Sequence, residues 1–173
     1  MMKNLMLAVG ITATLSAAVS AQTLSITSPD FKQGGTIPSK FTCDAGQTAP
    51  NPALAFSGIP AKTQALVLIM DDPDVPKTMV PSGEFVHWLV WDLAADAKGV
   101  AEGAGTSGIN GTGGPGYMGP CPPDRSHRYF FKLYAVDTKI TAAIKNKAEL
   151  LKAMEGHIIQ QSELMANYER VKK

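Results

Sequence analysis

The chain has 173 residues, of which 45% are hydrophobic and 18% are charged, a balance that fits one globular domain and argues against an intrinsically disordered chain. Its 16 basic and 15 acidic side chains give a formal net charge of +1. Such a near-neutral balance argues against a nucleic-acid binder, which needs a clear basic excess.

The first predicted element is a secretory signal peptide over residues 1–21. A lysine at position 3 precedes an apolar run that ends near Leu15, and small residues follow up to Ala21. The run is shorter than the ~20 residues that span a bilayer, so cleavage after Ala21 is favoured over an uncleaved membrane anchor. We therefore expect an exported protein, periplasmic or secreted, with a single domain over residues 22–173 and no membrane span after cleavage.

Short apolar or alternating runs separated by turn residues predict a mainly β fold. Residues 65–70 are continuously apolar and predict a central strand buried on both faces, which Asp71-Asp72-Pro73 ends. Aromatic and β-branched residues favour strands elsewhere in the chain. The further predicted strands are residues 24–27, 53–56, 85–93 and 128–137. Residues 163–171, at the C-terminal end, favour a last strand, with a continued helix as the alternative.

Two segments do not fit the strand pattern. Residues 99–119 hold nine of the 16 glycines, a density that excludes a helix or strand interior. Because few residues follow for a second domain, we expect a folded surface loop rather than a linker. Residues 147–159 predict a helix, with Leu151, Met154 and Ile158 along one apolar stripe.

The two cysteines, Cys43 and Cys121, both lie in the part of the chain that we expect to be exported. In an oxidising compartment such a pair is more often joined than free. A disulfide would tie the N-terminal part of the chain to its central loop. Two separate buried thiols are the alternative, because a bridge requires a specific approach of the two Cα atoms.

Side chains suited to binding or catalysis gather in three separated segments. Asp72 and Asp74 follow the central strand, His87 lies within the next strand, and His127 and Tyr129 alternate at the entrance of another. Alternate positions of a strand point to the same side of a sheet. The three segments could therefore meet in one pocket.

Three chemistries compete for this set of residues. A metal site is disfavoured, because no compact ligand spacing such as His-Glu-x-x-His is present. A hydrolase would use His127 or Cys121, although the chain has no Gly-x-Ser-x-Gly nucleophile elbow. An anion-binding pocket would use imidazole, phenol and backbone N–H donors, with one carboxylate orienting a histidine and another meeting an ammonium group. A ligand that carries a phosphate and an amine suits this last arrangement.

Four motifs in order carry a resemblance to a known protein family. They are Asp72-Pro73-Asp74-Val75-Pro76, Val86-His87-Trp88-Leu89-Val90, Gly116-Tyr117-Met118-Gly119-Pro120-Cys121-Pro122-Pro123 and the run from His127 to Asp137. Together they resemble the bacterial, Raf-kinase-inhibitor-like branch of the phosphatidylethanolamine-binding protein family. The resemblance covers nearly all of the chain after the signal peptide.

This resemblance implies both a fold and a pocket. The implied fold has a large central antiparallel sheet packed on a smaller sheet, with a C-terminal helix. The implied pocket takes phosphate-like anions or phospholipid headgroups. The matching positions are Asp72, Asp74, His87, Gly119, His127 and Tyr129. Cys121, which stands where animal members have a glycine, joins them at the lip of the pocket.

From these observations we predict an exported, non-catalytic binding protein without a cofactor or metal. Its expected partner is a phosphate or a phospholipid headgroup, and the resemblance adds inhibition of a protein partner, such as a kinase or protease, and a homodimer. A small-molecule hydrolase using His127 or Cys121 is the alternative. If charged histidines donate to the ligand, its affinity should fall as they deprotonate between about pH 5 and 8.

Overall fold

The structure, a computed structural model, describes residues 23–46 and 48–171. The predicted signal peptide, residues 1–21, lies outside the described residues. Within the described part of the chain, no helix combines the length and the hydropathy needed to cross a bilayer.

Two antiparallel sheets and one α-helix make up the architecture. The large sheet has the strand order β4-β3-β6-β7, and the small sheet has the order β1-β2-β5. The elements are β1 (Ser25–Thr27), 3-10 turns at Ser39–Phe41 and Cys43–Ala45, β2 (Leu54–Ser57), β3 (Ala65–Asp72), β4 (Phe85–Ala94), β5 (Gly99–Val100), β6 (His127–Val136), α1 (Lys147–Met154) and β7 (Ile158–Tyr168). The prediction of a mainly β fold with two sheets and a helix near the C-terminus is confirmed.

Strand β3 is central because its two faces enter two different cores. Leu66 and Leu68 pack between the two sheets, whereas Val67 and Ile69 pack on the side of the large sheet that α1 covers. All eight residues of β3 are buried, and each fully buried aliphatic side chain contributes ~1.5–3 kcal/mol. The predicted strand is thus confirmed, and it also continues through Asp71 and Asp72, which the sequence placed after its end.

The helix is shorter than predicted and buries a different stripe. Helix α1 ends at Met154, and Gly156, with φ +78°, turns the chain toward β7. Leu150 and Met154 are fully buried, whereas Leu151 is 39% and Ile158 is 43% exposed. The predicted stripe was wrong because Ile158 is no longer helical and begins β7. The predicted C-terminal strand is present, but it starts earlier than expected.

The glycine-rich segment packs along the outer edge of β4. Leu89 and Ile109 exchange two backbone hydrogen bonds of 2.7 and 3.0 Å. Gly108 has φ +79°, and a Cβ atom there would lie 1.9 Å from the Leu89 carbonyl oxygen, so this approach requires glycine. The expected folded loop is therefore present. The exclusion of strand structure was wrong at Gly99–Val100, which pairs with β2.

A disulfide connects the small 3-10 turn after Thr42 with the loop that precedes β6. Cys43 and Cys121 are joined, with a Cα–Cα distance of 5.3 Å and a sequence separation of 78 residues. The Cys43 N–H also donates to the Pro120 carbonyl at 3.0 Å. The covalent bond and the hydrogen bond together fix the two segments against each other.

Replacing both cysteines by serine should lower the free energy of unfolding by about 4 kcal/mol. The expected loss is the loop-closure entropy that a cross-link between residues 78 apart removes from the unfolded chain. Urea unfolding of the oxidised protein and of the double variant measures the difference, and reduction of the unaltered protein should reproduce it. A loss below ~1 kcal/mol would contradict this account of the bridge.

Candidate functional site

Three chain segments meet at one end of the large sheet. Asp72 ends β3 and lies opposite Phe85 at the start of β4. The start of β6, with His127 and Tyr129, pairs with the same end of β3. His87 lies two residues inside β4. Antiparallel pairing thus brings together the segments that the sequence predicts to meet.

His127 is a buried ring held between two carboxylates. Its Nδ1 lies 2.7 Å from Asp72 Oδ2, and its Nε2 lies 2.9 Å from Asp124 Oδ1. An ionised carboxylate only accepts hydrogen bonds, so both contacts are satisfied when each ring nitrogen carries a proton. The geometry therefore favours a charged imidazolium, with no ring nitrogen left for another partner.

Asp74 is engaged by Arg128 and does not line the cavity described below. The Arg128 Nε and Nη2 atoms donate to the two carboxylate oxygens of Asp74 at 2.8 and 2.7 Å, and the Arg128 backbone N–H donates at 3.0 Å. These hydrogen bonds lower the pKa of Asp74 to about 2. The Asp74 N–H donates in turn to Asp72 Oδ1 at 2.8 Å. Asp74 therefore ties the turn after β3 to the start of β6.

His87 presents a different chemistry from His127. It is 4% exposed, and its Nδ1 donates to the Met118 carbonyl oxygen at 2.8 Å. Burial lowers the pKa of His87, and this effect outweighs the opposing charges of Asp72 and Asp71. A neutral ring that donates from Nδ1 carries a lone pair on Nε2. His87 is thus a hydrogen-bond acceptor at neutral pH.

Tyr129 packs between the two histidines. Its ring meets His87 edge to face, with the ring centroids 5.2 Å apart, and stacks on His127 at 6.5 Å. The hydroxyl is buried and makes no hydrogen bond of normal geometry within the described residues. Burial, followed by the nearby charge of Asp72, raises the pKa of Tyr129. Tyr129 is therefore a neutral phenol that does not line the cavity but packs against both histidine rings.

A cavity of about 400 Å³ opens beside these residues. Its polar lining comes from Asp72, His87 and Gly119, and the Cys43–Cys121 disulfide forms part of its wall. Its remaining lining residues are Gly46, Val75, Met79, Val80, Phe85, Met118 and Pro123. Of the predicted binding residues, Asp72, His87, Gly119 and Cys121 line the cavity, whereas Asp74, His127 and Tyr129 do not.

Gly119 allows the loop to pass close to the 3-10 turns. A Cβ atom at this position would lie 2.8 Å from the Phe41 carbonyl oxygen and 3.1 Å from the Thr42 Cα. Within the described part of the chain, the Gly119 N–H donates to no protein group. Gly119 therefore supplies a backbone donor at the cavity wall, and a larger residue would displace that wall.

Two aspartates of the site have partners that the sequence analysis did not identify. Asp71 is fully buried and accepts from Lys132 at 2.9 and 3.0 Å and from Lys147 at 2.6 Å. These lysines are 61 and 76 residues away, and no local signal predicts such contacts. Asp124 binds His127, and its position three residues before that histidine is the one local signal. Within residues 23–46 and 48–171, no group of three or more His, Cys, Asp or Glu residues could hold a metal ion.

Comparison with known proteins identifies the family. The family model for phosphatidylethanolamine-binding protein matches residues 27–169. The chain belongs to this family. The family that the four motifs indicated is thereby confirmed.

Similar proteins occur in bacteria and archaea. A UPF0098 protein of Chlamydia pneumoniae is 42% identical over 151 residues, which cover 85% of this chain and 99% of the relative. A UPF0098 protein of Methanothermobacter thermautotrophicus is 37% identical over 150 residues, covering 81% of this chain and 95% of the relative. The similarity to this chain thus extends over nearly the whole length of both relatives.

Solved structures agree with the fold. The crystal structure of a phosphatidylethanolamine-binding protein homologue from Chlamydia trachomatis has a TM-score of 0.81 and 40% identity, covering 87% of this chain and 99% of that chain. The crystal structure of E. coli YbcL has a TM-score of 0.74 and 26% identity, covering 86% of this chain and 99% of that chain. Both structures share the two-sheet architecture of this family.

The substitution Asp74→Asn should lower the free energy of unfolding by ~1 kcal/mol near neutral pH. The folded-state pKa of Asp74 is about 2, below its ordinary value of ~3.9, so the ion pair with Arg128 stabilises the fold fully above that ordinary value. Its contribution is lost as the pH falls through about 2. The expected loss of unfolding free energy is small because Arg128 is half exposed and solvent screens its ion pair with Asp74.

Urea unfolding between about pH 2 and 6 measures this effect. Asp96→Asn, which changes an exposed aspartate in the turn after β4, is the matched control and should have little effect at any pH. An Asp74→Asn deficit that stays constant down to the lowest pH would contradict the assignment.

Proposed function

We propose that this protein is an exported, non-catalytic binding protein whose cavity takes a phospholipid headgroup or a similar small ligand that joins a phosphate to an amine. The observation that carries the proposal is the composition of the cavity, in which Asp72, His87 and Gly119 add polar groups to a mostly apolar wall. Membership in the phosphatidylethanolamine-binding protein family supports the same class of ligand.

The polar groups of the cavity match the two ends of such a ligand. His87 Nε2 accepts a hydrogen bond, and Asp72 adds negative charge on the adjacent strand, so this side suits an ammonium group. The Gly119 N–H has no acceptor within the described residues and suits a phosphate oxygen. A zwitterionic headgroup would use both kinds of group.

The apolar wall suits the carbon atoms that join the two ends of the ligand. Val75, Val80, Phe85 and Met118 line the cavity, whose volume of about 400 Å³ lies within the usual range for small-molecule sites. This volume fits a headgroup with its glycerol rather than a complete lipid with two acyl chains. Met79, which is 63% exposed, offers an apolar surface where acyl chains would leave the cavity.

The hydrolase alternative has less support from the arrangement of its candidate groups. The sulfur of Cys121 is bonded to Cys43 and is not a thiol. His127 has both nitrogens engaged by carboxylates, so the ring has no free nitrogen with which to take a proton from a substrate. These contacts favour binding without turnover.

The proposed export and the proposed protein partner rest on other observations. Export is supported by the composition of residues 1–21 and by a disulfide, which persists in oxidising compartments. Inhibition of a protein partner rests on the resemblance to family members alone.

Calorimetric titration with phosphoethanolamine tests the proposed function. The unaltered protein should bind, and His87→Ala should weaken binding about tenfold or more because the acceptor for the ammonium group is lost. His157→Ala is the matched control, since His157 is an exposed histidine that pairs with Asp137 outside the cavity. Its affinity should equal that of the unaltered protein.

Two controls make this experiment decisive. Urea unfolding of His87→Ala must show a cooperative transition, so that lost binding is not lost fold. Phosphate release from phosphoethanolamine is measured in the same samples, and steady release would favour the hydrolase over the binding protein. Absence of binding by the unaltered, folded protein would refute the proposed ligand class.

The pH dependence of binding should report the neutral state of His87. Burial lowers the pKa of His87, so its acceptor nitrogen is lost only under acidic conditions. Affinity for glycerophosphoethanolamine, whose phosphodiester keeps one charge throughout, should therefore rise with pH under acidic conditions and become constant above about pH 6.5, the ordinary pKa of histidine. This trend is opposite to the one expected from the sequence for charged histidine donors. If calorimetry shows that the affinity falls between about pH 6 and 8, the result would instead support a charged histidine as the hydrogen-bond donor to the ligand.

A further inference from the structure

Asp124 accepts a hydrogen bond from Nε2 of His127, a histidine whose side chain is buried. Its Oδ1 accepts from His127 Nε2 at 2.9 Å. The His127 side chain is 0% exposed, whereas the Asp124 side chain is 46% exposed. The hydrogen bond thus joins a fixed, buried donor to a carboxylate at the surface.

The surroundings of this carboxylate are those of an anion site. The Arg125 backbone N–H donates to the same Oδ1 at 3.0 Å, and Arg125 Nε lies 3.9 Å from Oδ2. A ring N–H, a backbone N–H and a guanidinium group therefore converge on one anion. The hydrogen bond from His127 is the main cause that lowers the pKa of Asp124, so the carboxylate is charged at neutral pH.

Asp124 is held less firmly than the other carboxylate on His127. Asp72 is 2% exposed and belongs to β3, whereas Asp124 lies in a bend between Pro123 and β6. Asp124 also lines a cleft of about 530 Å³, which leaves space for its side chain to turn away. Pro123 lines both this cleft and the ligand cavity, so the position of Asp124 adjoins the proposed ligand.

We propose that the Asp124 carboxylate is an internal competitor for the anionic part of the ligand. The phosphate end of an incoming ligand, which the Gly119 N–H also suits, takes the position of this carboxylate on His127 Nε2 and Arg125, and the Asp124 side chain turns into the cleft. This inference rests on the proposed function of the cavity and adds the residue that sets its selectivity.

The selectivity follows from what the ligand has to displace. A tethered carboxylate acts at an effective concentration in the millimolar range or above, so an anion binds here only if it engages the same donors more strongly. The apparent affinity equals the intrinsic affinity multiplied by the fraction of molecules in which the carboxylate has left the donors. Phosphate groups, whose oxygens can engage several donors at once, are therefore favoured over carboxylate ligands, which offer only the group that Asp124 already supplies.

Calorimetric titration with inorganic phosphate tests the proposal. Asp124→Ala removes the competitor and should tighten phosphate binding about tenfold or more. Asp124→Asn keeps a neutral and weaker acceptor and should lie between Asp124→Ala and the unaltered protein. Asp137→Ala is the matched control, because it removes an exposed carboxylate that accepts from His157 at 2.8 Å outside the cavity. Its affinity should remain that of the unaltered protein.

Nitrogen NMR of the His127 ring shows where the phosphate binds. Phosphate should shift the Nε2 resonance of His127 in Asp124→Ala at the concentration that calorimetry gives for binding. Equal or weaker phosphate binding by Asp124→Ala, with binding by the unaltered protein, would overturn the inference and leave the proposed function intact. Absence of binding of both phosphate and phosphoethanolamine to both proteins would overturn the inference and the proposed function together.

Discussion

The hydrogen-bonded pair of Asp72 and His127 is the interaction on which the site depends. Both side chains are buried, and the bond joins the end of β3 to the start of β6. The second oxygen of Asp72 holds the turn at Asp74, and the second nitrogen of His127 holds Asp124. Loss of either member would leave a buried charge without its partner, which typically costs about 3–5 kcal/mol. One pair thus positions the loops on both sides of the cavity.

The two histidines of the site differ because their hydrogen-bond partners differ. His127 lies between carboxylates, which favour a proton on each nitrogen, whereas His87 donates to a carbonyl and is desolvated. Tyr129 contacts both rings and separates the two environments. The site therefore combines a histidine whose two ring nitrogens are both engaged by carboxylates with a neutral acceptor at the cavity surface. In the proposed function, His87 and the Gly119 N–H serve the opposite ends of the zwitterion.

The sequence predicted most of the architecture because the signals for it are local or carried by motifs. The continuous apolar run of β3 and the four family motifs were sufficient for the central strand and the fold. The end of α1 was misplaced because Ile158 fits a helical stripe equally well, and the turn at Gly156 decides where the helix ends. Local pattern alone could not resolve that choice.

The sequence indicated which segments meet at the candidate site but not the contacts within it. The motifs named Asp72, His87 and Gly119, which line the cavity. They also named Asp74, yet its engagement by Arg128 depends on two strands meeting in space, 54 residues apart in sequence. The role of Asp124 was missed for the same reason, since only the folded chain shows which ring nitrogen a nearby carboxylate reaches.

The glycine-rich segment along β4 affects how the protein behaves in a crowded solution. An uncovered sheet edge offers unpaired N–H and C=O groups on which strands of other chains can assemble into aggregates. The backbone pairing of Leu89 with Ile109 uses such groups on β4 within the molecule. Gly108 makes this close cover possible, at the entropic expense that glycine brings to folding. Because Gly108 has no side chain, the segment can cover the β4 edge, which limits assembly with other chains as well as shaping the fold.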